Sequence, residues 1–355
     1  MAGFASRPLI YFRSKSGIFI FLAKIPGWGP NVSRNLSDYI KSGVQTATIL
    51  PKNFCQKSNF LVIFCISRAS AFEARHIIRN TWGRSNNVNK WNVSLYFLIG
   101  QTTNLRKQQK IIEEAQQFDD IIQENFLDTY NNLTIKSAMM LKSFTQHCHS
   151  TSYLLKIDDD MHLNLPILMD TLKIRNETHN LLMGSAICNS TPLRNSQCKW
   201  YAGPLDYFTE MEYPDYVAGG SYCMSADAAG KLLNVALTIP IFYIEDIYFT
   251  GLCAQKLGLK LTHDFRFTFP FLRDDPCLYR ELITIHIHDW KVRKYISSSI
   301  QNEHHECDIN NNIFLAYKWL LSNIFFVNNP VKEDIGCNNV RLNTQDSVLY
   351  NRIRL

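Results

Sequence analysis

The sequence predicts an α/β fold with a mostly parallel central sheet covered by helices. Three observations carry that reading. Phe60–Ile66 (FLVIFCI) is a continuous apolar run, the pattern of a strand buried on both faces. Comparable runs recur at Leu95–Ile99, Tyr153–Ile157 and Leu181–Ile187. Between them lie segments with apolar residues at helical spacing, so strands and helices alternate from about residue 60 to 265.

The elements follow in order. Residues 1–57 interrupt short apolar groups with Pro, Gly, Asn and Ser. Pro8–Phe12 and Gly17–Ala23 both fall short of the roughly 20 apolar residues of a membrane span. Glu73–Thr81 predicts a helix after the first strand. Ile111, Ala115, Phe118 and Ile122 recur at helical spacing, as do Leu133, Ser137, Met140 and Phe144. Residues 188–218, rich in Pro, Tyr, Trp and Asn, predict a long loop that shapes a pocket. Ser225 is placed to cap a helix carrying Ala229, Leu232, Leu233 and Ala236. Glu245–Leu257 predicts a further helix. Beyond about 300 the alternation stops. Ile313–Val327, interrupted by Lys318, reads as an amphipathic or buried helix rather than a span.

Composition narrows the class. The 355 residues are 46% apolar, with 22 Phe and 16 Tyr, which is ample material for a large core. The net charge of +6 comes from scattered residues, so it implies a mild attraction for anions and not a nucleic-acid footprint. The ten cysteines lack zinc-ribbon spacing. N-x-S/T sequons occur at Asn31, Asn35, Asn92, Asn132, Asn176 and Asn189. Cysteines and sequons together point to the secretory compartment.

The chemistry concentrates in Lys156–Asn164 (KIDDDMHLN). Three adjacent carboxylates repel one another in low dielectric. A divalent cation among them relieves that repulsion. In extended backbone Asp158 and Asp160 share one side and Asp159 takes the other. Such a pair at the end of a strand is a half-site for Mg²⁺ or Mn²⁺, completed by substrate phosphates. Open α/β sheets bind ligands at that end. A solvated turn is the plain alternative, but the apolar flanks Leu154, Leu155, Met161, Leu163 and Leu165 weigh against it. Glu245–Asp246 follows an apolar segment at a predicted helix start, where two adjacent acids are ordinary charges favoured by the helix dipole. His286 and His288 share one side of an alternating segment, where imidazole can complete an oxygen-rich metal shell. Arg75 and Arg79 lie four apart on one helical face, where ion pairing is the default role.

Taken together, these blocks resemble the β-1,3-glycosyltransferase family of β-1,3-galactosyltransferases and β-1,3-N-acetylglucosaminyltransferases. FLVIFCIS is followed by RHIIRNTWG, matching R-x-x-I-R-x-T-W-G. YFLIG comes next, then ENFLDTYNNLTIKS, matching F-x-D-x-Y-x-N-L-T-x-K. KIDDDMHLN matches the DxD motif. KWY, YPDYVAGGSYCMS, IEDIYFTG and CLYRELITIHIHD follow in order. The resemblance covers roughly residues 58–295.

It implies a GT-A-type fold and inverting transfer of galactose from UDP-galactose to a glycan on a glycoprotein or glycolipid, forming a β-1,3 linkage. The rivals are UDP-N-acetylglucosamine as donor, or an inactive glycan-binding relative. A metal-dependent hydrolase would need a second set of acids. The resemblance assigns Asp158, Asp160 and His286 to Mn²⁺; the residues alone leave Mg²⁺ open. It assigns Asp246 as general base, with Glu245 orienting the acceptor or the local backbone. Arg75, Arg79, Asp128, Lys136, Asp158 and Asp159 fall to the donor site. Lys199, Trp200, Gly219 and Gly220 fall to the acceptor side or pocket. Trp82, read from its position alone, wedges a helix end into the core or stacks on a ligand, the first being preferred. The expected organisation is a leader or stem-like segment (1–57), a catalytic domain (58–295) and a C-terminal extension (296–355). The family also implies a Golgi membrane location with a lumenal catalytic domain.

Overall fold

A computed structural model describes residues 11–13, 19–21 and 33–295, except 42, 57, 85–87, 89, 195–197, 203–211, 269–278, 288, 290 and 293–294. Asn31, His288, the Ile313–Val327 segment and the whole 296–355 extension lie outside the described residues. Strands β1 (Tyr11–Arg13) and β2 (Phe19–Phe21) form a separate antiparallel pair.

The main body runs β3 (Ala47–Ile49), β4 (Leu61–Ile66), α1 (Phe72–Asn80), β5 (Val93–Gln101), α2 (Leu105–Phe118) and β6 (Ile121–Leu127). It continues through α3 (Leu133–His147), β7 (Tyr153–Asp158), β8 (Met161–Leu163), α4 (Leu165–Arg175) and β9 (Leu182–Ile187). Then come β10 (Tyr216–Ser225), α5 (Ala226–Ala236), a π-helical stretch (Ile247–Cys253), α6 (Ala254–Leu257), β11 (Thr262–His263) and β12 (Thr284–His286).

Eight strands form one sheet in the order β11-β9-β10-β7-β4-β5-β6-β3. All six residues of β4 are buried. Their alternation divides the core: Val62, Phe64 and Ile66 join one cluster, while Leu61, Ile63 and Cys65 join the other. Residues of α3, α5 and the π-helical stretch cover the first face; residues of α1, α2 and α4 cover the second. Each fully buried Leu, Ile or Phe contributes roughly 1.5–3 kcal/mol relative to exposure.

The expectation of a mostly parallel sheet is corrected to a mixed one. β4 pairs parallel with β5 and β7, β5 with β6, and β11 with β9. β10 is antiparallel to both β7 and β9, and β3 is antiparallel to β6. The reason lies in the connections. β7 reaches β9 through α4 and leaves one position open between them. β10 fills that position, entering from the long 188–215 connection in the reverse direction.

Three local expectations also change. Ile122 lies on β6 and not on the preceding helix, because Asp119 adopts left-handed backbone (φ 53°) and stops α2. The predicted loop ends at 215, where β10 begins. Ser225 occupies the N-cap position of α5, but its side chain makes no capping bond; it donates to Asp227 and accepts from the Leu181 N–H. Among the described residues no helix is long and apolar enough to cross a membrane.

Residues 33–56 are built into the body. Leu36, Ile40 and Phe54 are buried in the first core cluster. Cys55 is disulfide-bonded to Cys148, just past the end of α3. Lys142 Nζ, on the same helix, donates to the Val44 carbonyl and the Thr46 hydroxyl at 2.5 and 3.0 Å. A chain beginning at residue 58 is therefore expected to melt well below one beginning at residue 33. Cys55→Ser in the longer chain should cost about 2–5 kcal/mol. Urea unfolding of the three proteins checks both; equal midpoints would mean that the segment is ornamental.

Candidate active site

The site forms where β4 and β7 end, against the first half of β10 and beside the π-helical stretch. Lys156 and Asp158 are two apart on β7 and therefore share a face. Lys156 Nζ donates to Asp158 Oδ1 at 2.6 Å. Asp158 Oδ2 accepts no hydrogen bond among the described residues, and about a third of the side chain (34%) remains exposed. The chain then turns through Asp159 and Asp160 into β8. Asp159 Oδ2 accepts from the Ser67 hydroxyl at 2.7 Å and the Arg68 N–H at 3.3 Å. β8 pairs antiparallel with β12 and sets His286 beside the turn. Asp160 Oδ2 lies 3.2 Å from His286 Nε2.

The three acids are therefore parted, each toward a different partner. Burial pushes Asp158 up to about 7, with Asp160 adding to the rise and Lys156 opposing it. Burial and Asp160 also raise Asp159, against the Ser67 hydrogen bond. Among the described residues no three His, Cys, Asp or Glu side chains gather around one point. What is present is a pair of partly exposed carboxylates, Asp158 and Asp160, with the buried imidazole of His286 beside Asp160. That donor chemistry fits a divalent ion whose remaining ligands are diphosphate and water.

Asp246 caps the π-helical stretch, a backbone form that recurs at functional sites. Its Oδ1 accepts from the Ile247 N–H and its Oδ2 from the Gly219 N–H, both at 2.9 Å. Burial, then the neighbouring Glu245, pushes Asp246 up to about 6, while these N–H groups and Lys156 oppose the rise. Glu245 is buried; its Oε1 accepts from the Tyr222 hydroxyl at 2.6 Å and its Oε2 lies 3.8 Å from Lys156 Nζ. Gly219 and Gly220 lie where the β9–β10 register shifts, between Val217 and Tyr222. A Cβ on Gly219 would sit 3.0 Å from Asp246 Oδ2, so glycine is what lets this carboxylate reach the strand backbone.

Tyr130 did not stand out in the sequence. It opens a short 3₁₀ turn before α3 and remains 38% exposed. Trp200 hydrogen-bonds its hydroxyl; partial burial, then Asp246 and Asp158, raise the phenol. Lys199 Nζ lies 4.3 Å from the Tyr130 ring centroid and 5.5 Å from that of Trp200. Its charge interacts with Asp160, Asp158 and Asp246. Tyr130, Lys199 and Trp200 thus stand beside both carboxylate groups. The only sequence signal for Tyr130 was its place inside the block Glu124–Ser137.

Arg75, Arg79, Asp128 and Lys136 sit behind the acids. Arg75 is fully buried and forks onto Glu114, with Nε···Oε1 at 2.9 Å and Nη2···Oε2 at 2.6 Å. Its Nη1 donates to the Ser67 hydroxyl and the Arg68 carbonyl. Arg79 forks onto Asp120 at 2.7 and 2.8 Å and also reaches Glu114. Asp128 accepts from the Ala69 and Gly100 N–H groups and from Lys136 Nζ, which also donates to the Ser67 carbonyl. Arg75, Asp128 and Lys136 thus converge on residues 67–69, the turn that anchors Asp159. Trp82 is buried in the second core cluster. Asn132 is buried with its amide donating to the Leu127 carbonyl, whereas Asn35, Asn92, Asn176 and Asn189 are exposed.

Residues 73–264, which include the three acids and Asp246, match the family model described as Galactosyltransferase. β-1,3-Galactosyltransferase 1 of Homo sapiens is 33% identical over 236 residues, covering 66% of this chain and 72% of that protein. β-1,3-Galactosyltransferase 5 of Homo sapiens is 32% identical over 241 residues, covering 67% and 77%. β-1,3-Galactosyltransferase 2 of Homo sapiens is 33% identical over 265 residues, covering 72% and 62%. The chain belongs to the galactosyltransferase family, among the β-1,3-glycosyltransferases.

Proposed function

We propose that the protein transfers galactose from UDP-galactose to a glycan acceptor with inversion, forming a β-1,3 linkage. The observation that supports this best is the pairing of two kinds of carboxylate at one end of the sheet. Asp246 is held by two backbone N–H groups, and Asp158 and Asp160 stand beside His286. Inversion needs a base facing the acceptor hydroxyl from the side opposite the departing diphosphate. In this reading Asp246 takes the hydroxyl proton. The acceptor oxygen bonds the anomeric carbon as the carbon–diphosphate bond breaks, and UDP leaves with the electron pair.

Asp158, Asp160 and His286 would hold Mn²⁺, or Mg²⁺, which when bound neutralises charge on the leaving diphosphate. Asp159 acts through Ser67 to fix the turn that carries Asp158 and Asp160. Glu245, covered by Tyr222 and Lys156, supports the base and does not touch the acceptor. Tyr130 and Trp200 offer a ring surface to a sugar, with Lys199 above it. The catalytic unit is residues 58–295, buttressed by 33–56. The Cys55–Cys148 disulfide and the exposed sequons support work in an oxidising secretory lumen, here assigned to the Golgi membrane. Galactose rather than N-acetylglucosamine rests on the names of the relatives.

Two measurements test the reading. UDP-galactose and UDP-N-acetylglucosamine are offered separately with a panel of β-linked acceptors, with and without Mn²⁺. Metal-dependent transfer from UDP-galactose is expected, and Asp246→Asn should lower kcat by about 10²–10⁴-fold while UDP still binds. Absence of transfer, of donor hydrolysis and of metal-dependent UDP binding would overturn it. The second measurement is the pH profile. With saturating Mn²⁺ keeping Asp158 ionised, a base at about 6 must lose its proton to act, so kcat/KM should level off above neutrality and fall below pH 6. Glu245→Gln removes a neighbouring negative charge that raises Asp246, so its acid limb should move to lower pH. An acid limb that stays in place would remove Asp246 from the role of base.

A further inference from the structure

Lys156 is the buried cation that touches both halves of the site. Its side chain is 4% exposed. Its ammonium donates to Asp158 Oδ1 at 2.6 Å and to the Gly219 carbonyl, and lies 3.8 Å from Glu245 Oε2. Gly219 in turn gives its N–H to Asp246 Oδ2 at 2.9 Å. The β7–β10 register sets Tyr222 opposite Lys156, and the Tyr222 hydroxyl holds the far oxygen of Glu245. One ammonium thus faces carboxylates from β7 and from the start of the π-helical stretch, and grips the strand between them.

We infer that Lys156 is a positioning residue coupling the donor-side carboxylate Asp158 to the acceptor-side base Asp246 through Gly219. The inference rests on the transferase reading above. Lys156 takes one oxygen of Asp158 and so leaves the other turned to the donor. Through Gly219 and Glu245 it also sets the height of Asp246 above the strand. Without the cation, Asp158 and Glu245 are unshielded like charges that must move apart or take up a proton. Either change disturbs the base and the diphosphate site together. Gly219 isolates one half of the link: a methyl group there meets Asp246 at 3.0 Å without changing any charge.

The test compares Lys156→Met, Lys156→Arg and Gly219→Ala in the full chain. Readouts are kcat, donor KM, calorimetric UDP affinity with Mn²⁺, and Tm. Lys156→Met should lower kcat about 100-fold, the scale of a small misplacement of reacting groups, and should also weaken UDP binding. Lys156→Arg, which keeps the charge, should regain part of both. Gly219→Ala should lower kcat and leave UDP affinity unchanged, because it disturbs only the base side. A Lys156 with a purely structural role would lower Tm and the active fraction, but would not produce this split between the two variants. Wild-type kcat and UDP affinity in Lys156→Met would overturn the inference while the transferase reading stands. If Lys156→Met fails to fold, Gly219→Ala decides, and wild-type kcat in that variant overturns the coupling. A wild-type protein that neither transfers sugar nor binds UDP would end both.

Discussion

Carboxylates crowded at the end of a buried strand repel one another, and much of this structure answers that repulsion. Asp158, Asp159, Asp160, Glu245 and Asp246 occupy one end of the sheet. Each has its own partner. Lys156 takes Asp158, Ser67 and the Arg68 N–H take Asp159, and His286 stands by Asp160. Tyr222 takes Glu245, and two backbone N–H groups take Asp246. Separate partners keep the acids apart and aimed. Burial still raises Asp158 to about 7 and Asp246 to about 6, so neither carboxylate is fully relieved. An unrelieved carboxylate is better prepared to accept a cation or a proton than one already satisfied.

The antiparallel β10 is what brings the two groups of acids together. In a fully parallel sheet, α4 would deliver the next strand directly beside β7. Here that place is held by β10, whose irregular segment at Gly219 and Gly220 faces Asp246 on one side and Lys156 on the other. The glycines permit the close approach, and the π-helical stretch begins at Asp246 itself. Reversing one strand thus joins a carboxylate nearly ninety residues downstream to the end of β7.

What the sequence revealed follows from what each signal encodes. β4 was legible because a run of six buried apolar residues has few other uses. Strand direction was not, since an apolar run reads the same for a parallel or antiparallel neighbour. β6 was obscured because Ile122 happens to fall four residues after Phe118, continuing a helical count that Asp119 ends. β10 was obscured by two glycines in its middle. The three acids and the Glu245–Asp246 pair stood out as charge in apolar surroundings. Glu114 did not, because one acid in an amphipathic helix looks solvated until Arg75 is found folded onto it. Tyr130 and Lys156 escaped for a similar reason: their placement depends on neighbours far away in the chain.

Helix α3 shows how far the support of the site extends. Tyr130 and Asn132 lie just before its first turn, and Tyr130 stands by the site carboxylates. One turn in, Lys136 reaches Asp128 and the Ser67 carbonyl, behind the turn that holds Asp159. Farther along, Lys142 grips Val44 and Thr46, and past its end Cys148 is bonded to Cys55. The helix is almost wholly buried along these contacts, so it cannot shift at one end alone without opening its packing at the other. Residues 33–56 therefore bear on the site through this helix. Loosening the disulfide end frees the helix that fixes Lys136, and with it the backbone to which Asp159 is tied.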